Sequence, residues 1–202
     1  MKMQKLIFMV LAATVLLTSC ETEKDPFLIS NGAIGLLSSD SKVSQLDSIY
    51  ALDSVVYNQP EASSFISSDD IEIYDKEGNL LLILAPEMVA NQSSFVSNIQ
   101  VIDSRFTTDK GLNVNSTYKV IKDNYTIESI ESTLSSVVVF LKDSDIYVTI
   151  DKKELPENLR YTQNKIETTQ IPDQATFKYF MIGWDAEIEE AAEDASDSSA
   201  GE

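Results

Sequence analysis

Six short segments of the chain carry the apolar and β-branched residues that are typical of β-strands. Three lie in the first half, with the sequences IEIYD, NLLLILA and NIQVID, and three lie in the second half, with the sequences SSVVVFLK, DIYVTID and FKYFMIGW. Their short length and β-branched content favour strands over helices. The runs VVVFL and LLLIL are apolar on both faces, so we expect these strands to be central in a sheet or covered.

Each set of three strands follows a segment with the pattern of a short amphipathic helix. The stretch GLLSSDSKVSQLDSIY begins at Gly35, and the stretch GLNVNSTYKVIKDNY begins at Gly111. In each, a serine (Ser41 or Ser116) has apolar residues two and five positions later, which predicts a serine N-cap on the first helical turn. The two halves are therefore interpreted as a weak internal duplication.

We predict an α+β fold made of two weakly similar repeats, each with a helix followed by three strands. The repeats span about 29–103 and 104–184 within a single domain over residues 27–184. Together they form an antiparallel sheet of about six strands with the helices on one face. Turn-forming residues over 75–79 and 142–145 predict the two hairpin turns.

The first twenty residues combine a basic start, an apolar stretch and a single cysteine. Two lysines precede an apolar stretch from Leu6 to Leu17 that is too short to span a bilayer comfortably. Leu17 begins the sequence Leu-Thr-Ser-Cys, which ends at Cys20 and resembles a lipobox. The alternative is an ordinary secretory signal with a chance cysteine. Cys20 is the only cysteine of the chain, and its position favours the lipoprotein interpretation.

The resemblance implies that residues 1–19 are removed as a signal peptide and that the Cys20 thiol carries a diacylglyceryl group. The membrane is then a partner, held through acyl chains worth about 0.8 kcal/mol per buried methylene. Residues 20–26 form a short tether. Glu21, where inner-membrane retention signals have aspartate, favours the outer membrane. The acidic residues after Cys20 fit both a surface-export signal and a plain spacer, so the periplasmic face and the cell surface both stay open.

The other end of the chain has the composition of a disordered segment. Residues 185–202 contain eight acidic residues, no basic residue and few bulky apolar residues. Such a segment cannot bury enough apolar surface to offset the entropy of ordering it. We therefore predict a disordered acidic tail over 185–202.

The residue counts exclude several classes of function. With 33 acidic and 15 basic residues, the chain has a formal net charge of −18, which argues against binding nucleic acid. The absence of histidine removes the commonest general base and metal ligand, and a single cysteine allows no intramolecular disulfide. No glycine-rich phosphate loop and no serine nucleophile elbow occur. We expect no metal and no cofactor.

Residues 97–125 contain a distinctive series of positions: Ile99, Val101, Asp103, Ser104, Thr108, Gly111, Ser116 and Tyr118. With these residues the segment resembles a family of small envelope-stress-regulated outer-membrane lipoproteins whose function is unknown. The resemblance implies an outer-membrane location and a fold, and it implies no chemistry. The duplicated pattern is also similar to β-lactamase-inhibitor-protein-like repeats, from which the chain departs by lacking a Gly-x-Pro after the helix.

Three residues are candidates for contact with a ligand or a partner. Asp103 follows a strand, where its side chain could also cap the turn before Phe106. Tyr179 and Trp184 belong to the aromatic last segment, where they could form a platform for a sugar or fill the core. Acidic residues at 69, 70 and 72, and at 143 and 145, offer oxygen ligands for calcium. Their spacing is not that of a calcium-binding loop, so we interpret them as solvated turn carboxylates.

These observations favour a non-enzymatic lipoprotein of the outer membrane with a protein-binding or envelope-maintenance role. The alternative is a module that binds a small ligand, a glycan or a lipid, on its aromatic last strand. A hydrolase that uses two carboxylates is the third interpretation. It ranks last because pairs of acidic residues are expected by chance in so acidic a chain.

Overall fold

The computed structural model describes residues 25–58, 70–87, 94–162 and 164–184. The predicted signal peptide, Cys20, Asp69 and the predicted acidic tail lie outside the described residues. Among the described residues, no helix has both the length and the apolar character needed to cross a membrane.

Within these residues the chain forms twelve strands and two short α-helices. The strands are β1 (Leu28–Ser30), β2 (Ala33–Ile34), β3 (Leu37–Ser38), β4 (Ser54–Tyr57), β5 (Ile71–Tyr74), β6 (Leu80–Glu87), β7 (Phe95–Val101), β8 (Thr107–Thr108), β9 (Ile127–Ser132), β10 (Ser136–Leu141), β11 (Ile146–Asp151) and β12 (Tyr179–Gly183). The helices are α1 (Leu46–Ile49) and α2 (Tyr118–Asn124), and short 3₁₀ turns occur at Val43–Gln45, Lys152–Glu154, Glu157–Leu159 and Thr168–Gln170.

The strands form two sheets. The large sheet has eight antiparallel strands in the order β4-β5-β6-β7-β12-β11-β10-β9, so two four-stranded meanders meet where β7 pairs with β12. The small sheet has the order β3-β2-β1-β8, and it is mixed because β1 runs parallel to β8. The two halves of the chain therefore share the centre of one continuous sheet.

The predicted α+β class is wrong, because the protein is mostly β. The two α-helices have only four and seven residues, and the sheet has eight strands rather than about six. Helices this short cannot cover the face of an eight-stranded sheet. Part of the second layer is instead supplied by the small sheet, whose buried residues join the same core.

The predicted serine caps also differ from the structure. Helix α2 begins after Thr117, whose side chain makes no capping hydrogen bond, and Ser116 Oγ accepts instead from the Asn113 backbone N–H. Ser41 Oγ accepts from the Ser38 backbone N–H. Both hydroxyls therefore stabilise the turn before the helix and do not cap the helix. Serine side chains often bond to nearby backbone groups in this way.

One hydrophobic core fills the space between the two layers. On the central strands of the large sheet its residues mostly alternate, as in Ile71 and Ile73 of β5 or Phe180 and Ile182 of β12. From the other layer the core includes Leu46 of α1, Tyr118 and Ile121 of α2, and Ile29, Ile34 and Leu37 of the small sheet. This alternation leaves the other face of the large sheet outside the core.

Candidate functional site

The face of the large sheet that points away from the core, here called the outer face, carries a continuous row of side chains. Strand register places its members directly opposite one another from edge to edge: Val56, Glu72, Ile83, Gln100, Met181, Tyr147, Phe140 and Ser129. From Glu72 to Phe140 these side chains are half-buried, whereas their neighbours along each strand are buried in the core. The outer face is therefore partly open to contact.

Aromatic side chains give the outer face a fixed shape. The rings of Phe140 and Tyr147 stack with centroids 5.4 Å apart, and the Tyr147 hydroxyl donates to Asn98 Oδ1 at 2.9 Å. Gly183 has no side chain at the point where the Tyr147 ring passes, and a Cβ there would lie 3.1 Å from the ring. Burial raises the pKa of Tyr147, so its phenol stays neutral. The result is a surface rich in apolar and aromatic side chains across the centre of the sheet.

Tyr179 lies on this outer face, one row away. Strand pairing aligns it with Thr149, which is in turn opposite Val138. The Tyr179 side chain is 40% exposed, and the Lys178 ammonium lies 5.2 Å from the centre of its ring. Tyr179 is therefore the most accessible aromatic residue of the strand that joins the two halves of the sheet.

Trp184 does not share this surface with Tyr179. It follows β12, is only 6% exposed and belongs to the hydrophobic core. Its indole Nε1–H donates to Asp145 Oδ2 at 3.2 Å, and the same carboxylate oxygen accepts from the Gly32 backbone N–H. The structure therefore does not bring Tyr179 and Trp184 together into one aromatic platform.

Among the described residues, the acidic residues that could hold calcium are not gathered into a site. Asp145 is engaged by Trp184 and Gly32, and Asp143 takes a positive φ of 53° in the turn between β10 and β11. Across the described ranges, no group of three or more cysteine, aspartate or glutamate side chains is placed to hold a metal ion.

A second candidate surface is an apolar groove where the described chain begins, here called the N-terminal groove. It encloses about 530 Å³, a volume within the range of small-molecule sites. Its apolar lining includes Pro26, Phe27, Leu36, Ile49, Leu81 and Phe106. Charged residues that include Asp75 and Arg105 form part of its wall.

A glycine fixes the chain segment that forms one side of the N-terminal groove. Gly35 has a φ of +53°, and a Cβ at this position would lie 2.3 Å from the Pro26 carbonyl oxygen and 3.1 Å from the Phe106 ring. Only glycine permits this close approach without strain. The approach brings the Phe27 ring against Phe106, with centroids 5.1 Å apart.

An ion cluster closes the groove on its polar side, and it contains Asp103. Arg105 donates from Nη2 to Asp75 Oδ2 at 2.7 Å and to Asp103 Oδ2 at 2.8 Å. Its guanidinium also lies 4.6 Å from the centre of the Phe27 ring. Asp103 Oδ1 accepts from the Arg105 backbone N–H at 2.8 Å, so this carboxylate also caps its own turn.

The cluster holds both carboxylates in their charged form. The backbone N–H of Asn79, followed by the Arg105 guanidinium, lowers the pKa of Asp75 to about 2. The hydrogen bond from Arg105 is the main cause that lowers the pKa of Asp103, against the opposing effect of desolvation. Two ionised carboxylates on one arginine form a stable anionic wall, and neither is poised to donate a proton at neutral pH.

The lowered pKa values predict a loss of stability in acid. The unfolded pKa of aspartate is about 3.9, so the stabilisation is complete above about pH 4 and is lost as the pH falls towards about 2. In urea unfolding, the wild-type protein should be more stable than Asp75→Asn near neutral pH, and this advantage should shrink steadily below about pH 4. As a control, Asp40→Asn changes an exposed carboxylate and should leave the midpoint nearly unchanged. If the difference in stability between the wild-type protein and Asp75→Asn does not vary with pH, the lowered pKa of Asp75 is contradicted.

A buried hydroxyl adds an unusual feature to the N-terminal groove. Tyr50 lines the groove and is only 4% exposed, and its hydroxyl has no hydrogen-bond partner among the described residues. Desolvation is the main cause that raises the pKa of Tyr50, with a smaller contribution from Asp53, so the phenol is a neutral donor. An unsatisfied buried hydroxyl is costly, and a ligand that supplied an acceptor would remove that cost.

No sequence motif marks the residues that shape these two surfaces. The patterns of their segments give Arg105 and Tyr50 no functional role, and only their tertiary contacts reveal them. The outer face did leave a signal in the sequence. The run VVVFL has apolar residues at the positions that face outward as well as at those that face the core. Its outward residues Val138 and Phe140 are the half-buried ones in β10.

Comparison with known proteins gives one structural likeness. No protein-family model matches the chain, and no curated protein matches it. The crystal structure of the uncharacterized protein yfeY from Escherichia coli is similar, with a TM-score of 0.49 and 14% sequence identity over 77% of this chain and 98% of that chain. At this identity and TM-score, the likeness carries no inference about activity.

Proposed function

We propose that the protein is a lipoprotein of the bacterial outer membrane, anchored through Cys20, with a non-enzymatic binding role in the envelope. The signal-peptide pattern ending at Cys20 supports the anchor. The resemblance of residues 97–125 to small envelope-stress-regulated lipoproteins supports the location. We further propose that the outer face of the large sheet docks a protein partner.

The row of half-buried apolar side chains on the outer face is the observation that carries this proposal. Ile83, Met181, Tyr147 and Phe140 follow one another across the sheet, and only Gln100 interrupts them. Aromatic residues and methionine are enriched in the cores of protein interfaces. An open sheet face of this composition suits another protein better than a small molecule, because small molecules bind in concave sites.

The charges around the apolar row indicate the chemistry of the partner. Glu72 lies in the row itself, and pairing places Glu131 opposite Val138 and Asp151 opposite Ser136 on the same face. The chain as a whole is also strongly acidic. The partner should therefore present an apolar patch with a basic rim, since complementary charge speeds association and excludes other partners.

The ion cluster supports a binding role over the carboxylate hydrolase. A hydrolase needs one carboxyl group with a raised pKa to act as the acid. Asp75 and Asp103 lie close together but share Arg105, and both of their pKa values are lowered.

Photo-crosslinking in the native envelope tests the docking surface. With p-benzoylphenylalanine in place of Tyr179, we expect one specific protein adduct, because this side chain is exposed on the outer face. Glu72→Lys with Glu131→Lys should reduce the adduct by about tenfold, since it reverses the acidic rim.

The matched control is p-benzoylphenylalanine in place of Tyr161. That tyrosine is 89% exposed, lies outside the strands and should give no such adduct. Equal labelling from both positions, or an adduct that is insensitive to the charge reversal, would refute docking on the outer face.

A further inference from the structure

We propose that the N-terminal groove holds one acyl chain of the lipid on Cys20, so that the protein shelters part of its own anchor. This inference rests on the proposed lipidation of Cys20. It assigns an occupant to the N-terminal groove, which has no part in the proposed docking on the outer face.

The size and lining of the groove fit a single acyl chain. If a methylene takes about the share of liquid volume of a water molecule, about 30 Å³, the 530 Å³ of the groove correspond to roughly 17 methylenes. Its lining of proline, leucine, isoleucine and phenylalanine side chains suits a hydrocarbon chain, and in its polar wall Asp75 and Arg105 are paired with each other. An acyl chain in the groove is shielded from water by these apolar side chains.

The chain connectivity places the anchor within reach. Cys20 precedes Asp25, the first described residue, by five positions, and Pro26 and Phe27 line the groove. Five residues span at most about 17 Å when fully extended. An acyl chain on Cys20 is therefore held next to the groove at a high effective concentration, and free lipid from solution competes poorly with it.

A residue that lines the groove carries a buried hydroxyl that matches the chemistry of the lipid. Acyl chains of a diacylglyceryl group end in ester carbonyls, which accept hydrogen bonds and donate none. The Tyr50 hydroxyl is buried, and among the described residues no acceptor takes its hydrogen bond. An ester carbonyl that enters with its chain would satisfy it.

Two leucines at the groove explain how the chain would be covered. Leu36 is 40% exposed and Leu52 is 88% exposed, and both line the groove. Exposed leucine side chains next to an apolar cavity add contact area for a chain lying in it. These positions can be changed without disturbing the core, which makes them suitable for a test.

The experiment uses the full protein made in bacteria that are fed a palmitate analogue with a terminal photoactivatable diazirine. After irradiation, mass spectrometry should find the label on Cys20 and intramolecular adducts in peptides that contain Pro26, Leu36 or Leu52. Leu36→Glu with Leu52→Glu should lower the intramolecular adducts by about tenfold, because a carboxylate in the groove disfavours a hydrocarbon chain. The matched control Leu134→Glu changes a leucine that is 85% exposed in the turn between β9 and β10, and should have no effect.

The outcomes separate this inference from the lipid anchor itself. Label on Cys20 with adducts only to phospholipid would overturn the groove as the site and leave the anchor intact. Absence of label from the peptide that contains Cys20 would overturn both the lipid anchor and the groove as the site. The Cys20→Ala variant, which has no thiol to carry the lipid, is the reference for that result. Adducts that persist equally in the double glutamate variant would also overturn the groove as the site.

Discussion

Replacing Gly35 with alanine should destabilise the protein by roughly 2 to 5 kcal/mol. The added Cβ would lie 2.3 Å from the Pro26 carbonyl oxygen, which is backbone and cannot rotate away. The φ of +53° adds the strain that any L side chain meets in the left-handed region. A loss of this size is a large part of the stability of a small protein and should appear as a lower urea midpoint followed by circular dichroism.

Gly111→Ala separates steric contact from backbone strain. Gly111 also has a positive φ, of +78°, but a Cβ there would have no atom within 4 Å. Its replacement should therefore cost only the strain, about 1 to 2 kcal/mol. If both substitutions cost the same, the close approach between Gly35 and Pro26 does not exist and the N-terminal groove has a different wall.

Replacing Phe180 with alanine should cost about 3 to 5 kcal/mol. Phe180 is fully buried at the centre of the large sheet, on the strand that pairs with both β7 and β11. Its removal would leave a cavity where the two halves of the sheet meet, and rigid strands on both sides limit how far the core can relax. Chemical unfolding of the purified variant measures this loss.

The neighbouring residue provides the matched control on the same strand. Tyr179 points to the outer face and is 40% exposed, so Tyr179→Ala should cost less than about 1 kcal/mol. The two adjacent aromatic residues should therefore differ strongly in their effect on stability. Similar losses at the two positions would mean that the face assigned to Tyr179 is buried, and would exclude it as a docking surface.

The strand pattern shows where sequence reasoning succeeded and where it did not. All six predicted segments contain strands of the large sheet, because short runs of apolar, β-branched and aromatic residues fit a pleated, partly buried surface. Strands β4 and β9 were missed, and they are the two edges of that sheet. In β9 the sequence IESIES places apolar residues three apart, which hides the alternation of a strand.

The small sheet was missed for a different reason. Its strands have two or three residues each, too few for any periodic pattern. It exists because Gly35 allows a tight turn and because β1 pairs with β8, about eighty positions further along the chain. The α+β prediction failed because it expected the helices alone to cover the core face of the large sheet. The small sheet covers part of that face.

The sequence by itself determined the six central strand segments, the glycine-dependent turns and the chemistry that the chain cannot perform without histidine. It also carries the whole argument for a lipid on Cys20, because a lipobox is read as a linear motif. Tertiary structure alone decided that Trp184 is buried while Tyr179 is exposed, and that Asp103 shares Arg105 with Asp75. Those outcomes depend on strand register and on contacts between distant segments, and neither leaves a local pattern that composition or spacing can reveal.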